Sequence, residues 1–555
     1  MGKSIEDIKA ESHHLRGHVY EDMFESGDSR VSEDSRQIMK FFGMYLQEDR
    51  DERHARKVQG LDPNFTFMVR IALFGGRLTA HQYLAIDALA DEIGAGHFRL
   101  TSRQAIQIHG IAKDGLPHLV SRLQAIDTTT LAGCGDVERN VMCCSAPDAG
   151  GIRDQVAAIA DRLACHLKPK TGAYLELFVN GQKVHDIQEE EPLYGETYLP
   201  RKFKTGFAIA GDNCTDVLSD DIGVVAHPDK HGNIARFTIL AGGGLGHSHG
   251  VSKTRAILAK PLGSIRPDRL VEVVEAIITI QRDQGNREDR RFARMKYLVD
   301  SWGVDLFRAE VERRSGVIFE PAEALNFSAP TDHLGWHAVN EDQGYLGLFI
   351  PGGRVQKQGR LALQEIVKTF NPDLRVTAQQ NLLLWGLSES ASREVNEIWR
   401  GYGLKPAETM PPTLRVSMAC VALPTCGLAL AEAERVFPAV LEQVDRIWTK
   451  LGLSAEPLVV RMTGCPNNCV RSEMAEIGFV GSGPGKYHIY VGGGPQGTRL
   501  AAKFRERVPL AALVPTIEPL LTWYAQDHQR GQSFGDWVAQ VGVESLQERL
   551  QEVTS

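Results

Sequence analysis

The stretch Phe98-Arg-Leu-Thr-Ser-Arg-Gln-Ala105 decides the reading of this chain, because the chain repeats it. Leu374-Arg-Val-Thr-Ala-Gln-Gln-Asn381 places Arg375, Thr377 and Gln380 each 276 positions after Arg99, Thr101 and Gln104. The echo extends outward. Upstream, Phe349-Ile-Pro-Gly-Gly-Arg-Val355 answers Leu73-Phe-Gly-Gly-Arg-Leu78. Downstream, Arg139, Met142 and Cys144 fall on Arg415, Met418 and Cys420. A further echo sets Asn213-Cys214, followed by Asp221-Ile-Gly-Val, on Asn468-Cys469, followed by Glu476-Ile-Gly-Phe. Chance produces one such match. Several in the same order indicate two degenerate copies of one module, with a site expected between the halves.

Inside the first copy, Phe67-Met-Val-Arg-Ile-Ala-Leu73 predicts a buried strand closed by Gly75-Gly76. Thr79 predicts a helix cap, with apolar spacing through about Ile93 and stops at Gly94 and Gly96. The run from Phe98 to Ile111 reads as one strand. On that reading Arg99 and Arg103 share a face about 13 Å apart, at roughly 3.3 Å per residue, and Gln107 and His109 continue it.

The 555 residues suffice for several structural units. With 43% apolar and 24% charged residues the composition is that of a soluble globular protein. A net charge of −8 gives no footing for nucleic acid. The charge-free stretch most worth testing, Ser417 to Ala431, is too short and too polar to cross a membrane. The first seventeen residues hold no apolar core of the signal-peptide kind. A cytoplasmic location is therefore expected. Disulfides are rare there, so the nine cysteines are expected to be buried, catalytic or metal-bound. Residues 1–64 are polar, with the run Gln47 to His54, and read as a solvated arm or, alternatively, a docking arm for a partner chain.

Two constellations carry chemistry. Cys420-x5-Cys426 and Cys465-x3-Cys469 fit neither the short pairs zinc prefers nor tandem ferredoxin spacing. A four-iron cube accepts thiolates from separated segments and is the preferred reading. Gly464, Pro466, Asn467 and Asn468 make the second pair a turn-rich loop able to bring backbone close to such a cluster. The other constellation is cationic: Arg99, Arg103, Arg139, Arg201, Lys202 and Lys204, with further cations between Arg287 and Lys296. In an acidic protein it points to a polyanion, because Arg forks match carboxylates and Lys offers a charge and a proton. Gly492-Gly-Gly-Pro-Gln-Gly497 matches a dinucleotide fingerprint, but Pro495 sits where the helix should open. His247-x-His249 lacks a nearby carboxylate or Cys in sequence and reads as a Gly-rich loop against a cofactor.

Taken together, Thr101-Ser-Arg-Gln104, Arg139-Asn-Val141, Tyr198-Leu-Pro-Arg-Lys-Phe-Lys-Thr205, Cys420-x5-Cys426 and Thr463-Gly-Cys-Pro-Asn-Asn-Cys469 are specific. With them the chain resembles the siroheme- and iron–sulfur-containing sulfite and nitrite reductases. Within that family it is most similar to the hemoprotein (beta) subunits of bacterial assimilatory NADPH-dependent enzymes. The resemblance runs from Leu15-Arg-Gly17 to Phe534-Gly-Asp536.

It implies an α+β fold with ferredoxin-like half-domains at 65–130 and 331–400, paired into one domain. Related siroheme- and iron–sulfur-binding α/β domains are implied at 135–325 and 408–548, after the 1–64 arm. It implies a 4Fe–4S cluster on Cys420, Cys426, Cys465 and Cys469, with Cys469 bridging to the siroheme iron. Siroheme, whose rim carries many carboxylates, is implied to lie on Arg99, Arg103, Gln107 and His109, with Arg201 and Asn468 beside it. The substrate-binding cations are implied to be Arg70, Arg139, Lys202 and Lys204.

The implied reaction takes sulfite to sulfide in sulfur assimilation. Electrons are expected from an FAD/FMN flavoprotein (alpha) subunit, or from ferredoxin as second choice. A ferredoxin-dependent nitrite or sulfite reductase is the neighbouring alternative, and a non-catalytic cofactor carrier the distant one. Asn468, Val470, Glu473 and Cys144 depart from the family pattern without removing a ligand.

Overall fold

A computed structural model describes residues 3–27, 29–173, 178–179, 182–183, 191–328 and 332–554. The predicted helix forms at Ala80–Glu92. Thr79 accepts the Gln82 amide N–H while Gln82 reaches back to the Thr79 N–H, a reciprocal cap worth about 1 kcal/mol. The expected strand forms at Phe65–Ile71.

The single strand expected from Phe98 to Ile111 does not form. Phe98–Leu100 and Ile106–Ile111 are two antiparallel strands joined by a turn, and Arg103 lies in that turn. The reason is local. The Thr101 hydroxyl accepts the N–H groups of Arg103 and Ala105, and Gln104 adopts φ +54°. The second copy repeats the device: the Thr377 hydroxyl accepts from Gln379 and Asn381, and Gln380 stands at φ +65°. Side-chain capping of this kind competes with the ladder and wins.

The two copies exchange strands. One five-stranded sheet has the order Met44–Glu48, Phe65–Ile71, Ile106–Ile111, Phe98–Leu100, and then Arg354–Val355 from the second copy. The other runs Gly335–Ala338, Gly344–Leu348, Leu382–Leu387, Asp373–Val376, and then Arg77–Leu78 from the first. Glycine is required at the crossing points. A Cβ on Gly76 would stand 2.2 Å from the Val376 carbonyl, and one on Gly353 would stand 2.4 Å from that of Leu100. Both glycines have φ +71°. Arg360, from the second copy's helix Lys357–Phe370, forks onto Asp87 of the first copy's helix.

Two further mixed sheets extend from this pair. Thr205–Ile209 runs parallel to Ile222–Pro228, which continues antiparallel into Ile234–Ala241 and Lys260–Ile265. Met418–Ala419, Val460–Thr463 and Ile477–Gly483 are parallel and continue antiparallel into Lys486–Val491 and Ala502–Pro509. The echoes of the sequence fall in matching places. Asp216 and Arg471, both left-handed, open equivalent short turns before Ile222–Pro228 and Ile477–Gly483. Met142 bridges in parallel to Gly206 as Met418 does to Arg461. One apolar core runs through both ferredoxin-like copies and the first α/β module, and the second α/β module has its own. No helix among the described residues is long and apolar enough to cross a membrane.

Candidate active site between the two copies

The four cysteines come from two loops that fold onto each other. The Cys420 N–H donates to the Met462 carbonyl at 3.1 Å, and the N–H groups of Leu430 and Ala431 donate to the Gly464 carbonyl. This lays the Cys420–Cys426 loop against the start of the Cys465–Cys469 loop. The Cys420 sulfur accepts the Gly464 N–H at 3.3 Å and the Thr463 hydroxyl at 3.4 Å, and the Asn467 amide points at the Cys465 sulfur from 3.6 Å.

Burial pushes the Cys420 thiol up to about 11, with Cys469 and Cys426 adding to the effect. The thiols of Cys426 and Cys465 are raised for the same reasons, burial first and Cys469 second. Cys420, Cys426 and Cys465 thus all sense the charge of Cys469. Yet among the described residues no three of them gather their sulfurs within the 4.8 Å expected around a single ion. A polynuclear cluster, whose positive iron would offset the cost of burying thiolates, needs no such tight group.

Cys469 is the most exposed of the four. Its loop is held from both copies. The Ser102 hydroxyl donates to the Cys469 carbonyl at 2.8 Å, Arg471 donates to the carbonyls of Ser102 and Ala378, and the His247 N–H donates to the Pro466 carbonyl at 3.0 Å. His247 also meets Glu473 at 2.8 Å. The Gly-rich loop therefore docks beside the cysteines, and among the described residues His247-x-His249 joins no group of three metal-ligating side chains. Gly492–Gly497 leads into the strand Ala502–Pro509 rather than a helix, as Pro495 suggested.

The cations converge on the same place. Arg70, Arg139, Arg201, Lys202 and Lys204 are all half-buried, and among the described residues none pairs with a carboxylate within ion-pair distance. Burial and then Arg139 lower Arg70 to about 10, while Cys469 and Cys426 oppose the shift, so Arg70 lies near the cysteines. Burial and then Arg290 hold Arg201 at about 10. Lys202 falls well below its usual value through burial, Arg139, Arg201 and Lys204 in turn. Lys204 is lowered to about 7 by burial and Arg103, against the pull of Asp220 and Asp221. Cations this desolvated, and repelling one another, would be stabilised by a bound anion.

The remaining predicted residues divide. Arg103 donates to Asp220 at 2.8 Å and to the carbonyls of Asn140 and Thr205, leaving its buried Nε without a partner. His109 meets Gln47 through Nδ1 at 3.1 Å and keeps an unpartnered Nε2. Asn468, at φ +58°, has an unpartnered Nδ2. Arg103 Nε and Asn468 Nδ2 are orphaned donors that fit an acidic group the protein would bind here, whereas His109, neutral and donating through Nδ1 to Gln47, keeps Nε2 as an acceptor. Gln107 is buried opposite Arg70 and Arg99 in the ladder. Arg99 is different: at 2% exposure it is an ion-pair partner of Glu434, donates to the Ala419 carbonyl at 2.8 Å, and shares Glu434 with Arg354.

Sequence reasoning missed Arg50. It lies in the charged run read as solvated, yet it donates to the carbonyls of Ala429 at 2.8 Å and Cys426 at 3.0 Å, clamping the first cysteine loop. A charge run carries no local signal that one member turns inward. Glu434 and Asp220, which hold Arg99 and Arg103, were equally silent.

Comparisons with known proteins agree with this architecture. The model of the nitrite and sulphite reductase 4Fe-4S domain matches residues 159–319 and 412–555. That of the nitrite/sulfite reductase ferredoxin-like half domain matches 59–126 and 338–400. The chain is 38% identical to a Paenibacillus sp. (strain JDR-2) protein over 97% of this chain and 95% of that one, and 40% identical to a Bacillus subtilis (strain 168) protein over the same shares. Both are named sulfite reductase (NADPH) hemoprotein beta-component. The Mycobacterium tuberculosis NirA structure superposes with a TM-score of 0.77 at 20% identity, over 97% of this chain and 96% of that one, and so shares the fold. With both family models matched in duplicate and relatives alike along nearly its whole length, the chain belongs to the nitrite and sulphite reductase 4Fe-4S family.

Proposed function

We propose that this chain is the hemoprotein component of an assimilatory sulfite reductase, reducing sulfite to sulfide. The observation that carries the reading is the group Arg70, Arg139, Lys202 and Lys204, unpaired with carboxylates within ion-pair distance and joined to the cysteines through Arg70, which senses Cys469. A carrier of cofactors has no use for such a group.

Cys420, Cys426, Cys465 and Cys469 would hold a 4Fe–4S cluster, with Cys469, the exposed member, shared with the siroheme iron. Arg103 and Asn468, each with an unpartnered donor, would receive siroheme carboxylates, alongside Gln107, His109 and Arg201. Arg99 is proposed to act through Glu434 and the Ala419 carbonyl, fixing the segment that leads into Cys420. When bound, the two cofactors supply the electrons that take sulfur from +4 to −2. The chain's part is electrostatic. The four cations draw in a small dianion, and donors fixed in advance around its oxygens polarise the S–O bonds. Lys204, lowered to about 7, can release a proton to a departing oxygen near neutral pH.

The relatives' printed name supports NADPH as the source of electrons; the donor proposed to pass them on is an FAD/FMN flavoprotein (alpha) subunit, and ferredoxin is the other outcome of the test. Cysteines that are all free in the structure accord with a reducing, cytoplasmic setting.

The test is the visible spectrum of the purified protein, before and after sulfite is added to the reduced form. Heme-type bands that shift with sulfite are expected. A colourless, well-folded protein from cells that make siroheme would sink the reading. Comparing kcat/KM for sulfite and nitrite separates the two substrates, and reconstitution with a flavoprotein or a ferredoxin separates the donors.

A further inference from the structure

The first copy keeps two thiols where the second has cluster cysteines: Cys144 matches Cys420, and Cys214 matches Cys469. Around them the structure assembles a different donor set. Cys144, Asp212, Cys214 and His333 are all buried, and their ligand atoms all lie within 4.8 Å of one another. The Cys144 sulfur is 3.3 Å from His333 Nε2 and 3.7 Å from Asp212 Oδ2, and the last two atoms are 3.5 Å apart. Four donors at tetrahedral corners, each about 2.0–2.3 Å from a central ion, stand roughly 3.3–3.8 Å from one another. The three separations among Cys144, His333 and Asp212 match those edges, and the Cys214 sulfur lies within 4.8 Å of each of these atoms.

We propose that Cys144, Asp212, Cys214 and His333 form a tetrahedral zinc site, separate from the cluster cysteines. The chemistry of the set is that of a structural site: two thiolates, an imidazole and a carboxylate with no position left open. The charges close as well. Two thiolates and a carboxylate exceed Zn²⁺ by one negative charge, and the Arg153 guanidinium, 3.3 Å from Asp212 Oδ2, supplies the balancing positive one. Binding transfers no electrons. The thiol protons of Cys144 and Cys214 leave to solvent as the ion enters.

The ligands are positioned by their own loops. The Cys214 N–H donates to Asp212 Oδ1 at 3.0 Å, fixing these two in one turn. His333 stands at φ +54° just before the strand Gly335–Ala338. Cys144 follows the bridge from Met142 to Gly206. The ion would thus tie three distant segments, joining the first α/β module to the entry of the second copy. Cys214 also lines a cleft with Asn213, Gln379 and Gln496, which gives the ion a way in.

The test uses holoenzyme purified without oxygen and dialysed against micromolar zinc. Elemental analysis is expected to find a stoichiometric zinc ion per chain besides the cofactor iron. The zinc absorption edge is expected to report two sulfurs near 2.3 Å and lighter ligands near 2.0 Å. Cys144→Thr with Cys214→Ser, and separately His333→Gln, should lose that zinc while the heme-type bands stay. Three results would overturn the proposal: no zinc in the replete wild type, a zinc shell without sulfur, or a Cys144–Cys214 disulfide in anaerobically prepared protein. The absorption edge of the wild type decides the matter even where a variant does not fold.

Discussion

Lys204 is the side chain on which the proposed chemistry is most open to measurement. Lys204→Ala removes a preplaced donor without touching a cysteine, so sulfite turnover should fall about 10²–10³-fold with the visible spectrum nearly unchanged. Unchanged turnover would take Lys204 out of the mechanism. Its pH behaviour has a definite sign. Burial and Arg103 hold it down to about 7, and it works as the protonated acid. Turnover should therefore decline as pH rises through its pKa, and bound carboxylates and substrate move that limb upward from about 7. Lys204→Arg, cationic throughout, should flatten the limb while lowering the plateau. Cys469→Ser tests the neighbouring role: both the heme-type bands and the cluster signal should be lost, and a normal heme spectrum would end the proposed sharing of that thiolate. Which residues cluster was legible in the sequence; how they cluster was not. A strand through Arg103 would put it on one face with Arg99, but the Thr101 hydroxyl ends the strand and swings Arg103 to Asp220.

At the scale of elements, the duplication could be read because turn devices such as Thr101–Gln104 and Thr377–Gln380 are local and leave matching residues. The exchange of Arg77–Leu78 and Arg354–Val355 between sheets could not, because a two-residue strand carries no periodicity and its partner lies far along the chain. Arg50 was lost for the same reason: its carbonyl partners at Cys426 and Ala429 lie 376 and 379 residues away. The exchange makes a prediction of its own. In Gly353→Ala the new Cβ meets the Leu100 carbonyl at 2.4 Å with φ at +71°, so a clash adds to a backbone penalty. Denaturant unfolding should report a loss of about 1–3 kcal/mol or more. Gly232→Ala has φ +81° but nothing within 4 Å, and should cost only the backbone share. Equal losses in the two variants would mean that the crossing point is not tightly packed.

For the whole molecule, the question is what holds two diverged copies around one site. Asp216 of the first copy and Arg471 of the second occupy equivalent left-handed positions, and they face each other: Arg471 Nε donates to Asp216 Oδ2 at 2.5 Å, and Arg461 donates to the same oxygen at 2.8 Å. Arg471 reaches further, to the Ser102 carbonyl in one ferredoxin-like copy and the Ala378 carbonyl in the other. A single guanidinium two residues from Cys469 thus touches both turns that the duplication left behind. Burial costs such a cluster its hydration, so its value shows most when one partner is removed. Asp216→Ala leaves two buried guanidinium groups uncompensated and should lower stability by about 3–5 kcal/mol. Adding Arg461→Met to that variant removes one orphaned charge and should recover part of the loss, which a urea-unfolding double-mutant cycle reads directly. If the two changes simply added, Asp216 and Arg461 would be independent, and the junction between the copies would have to rest on the exchanged strands and the Arg360–Asp87 pair instead.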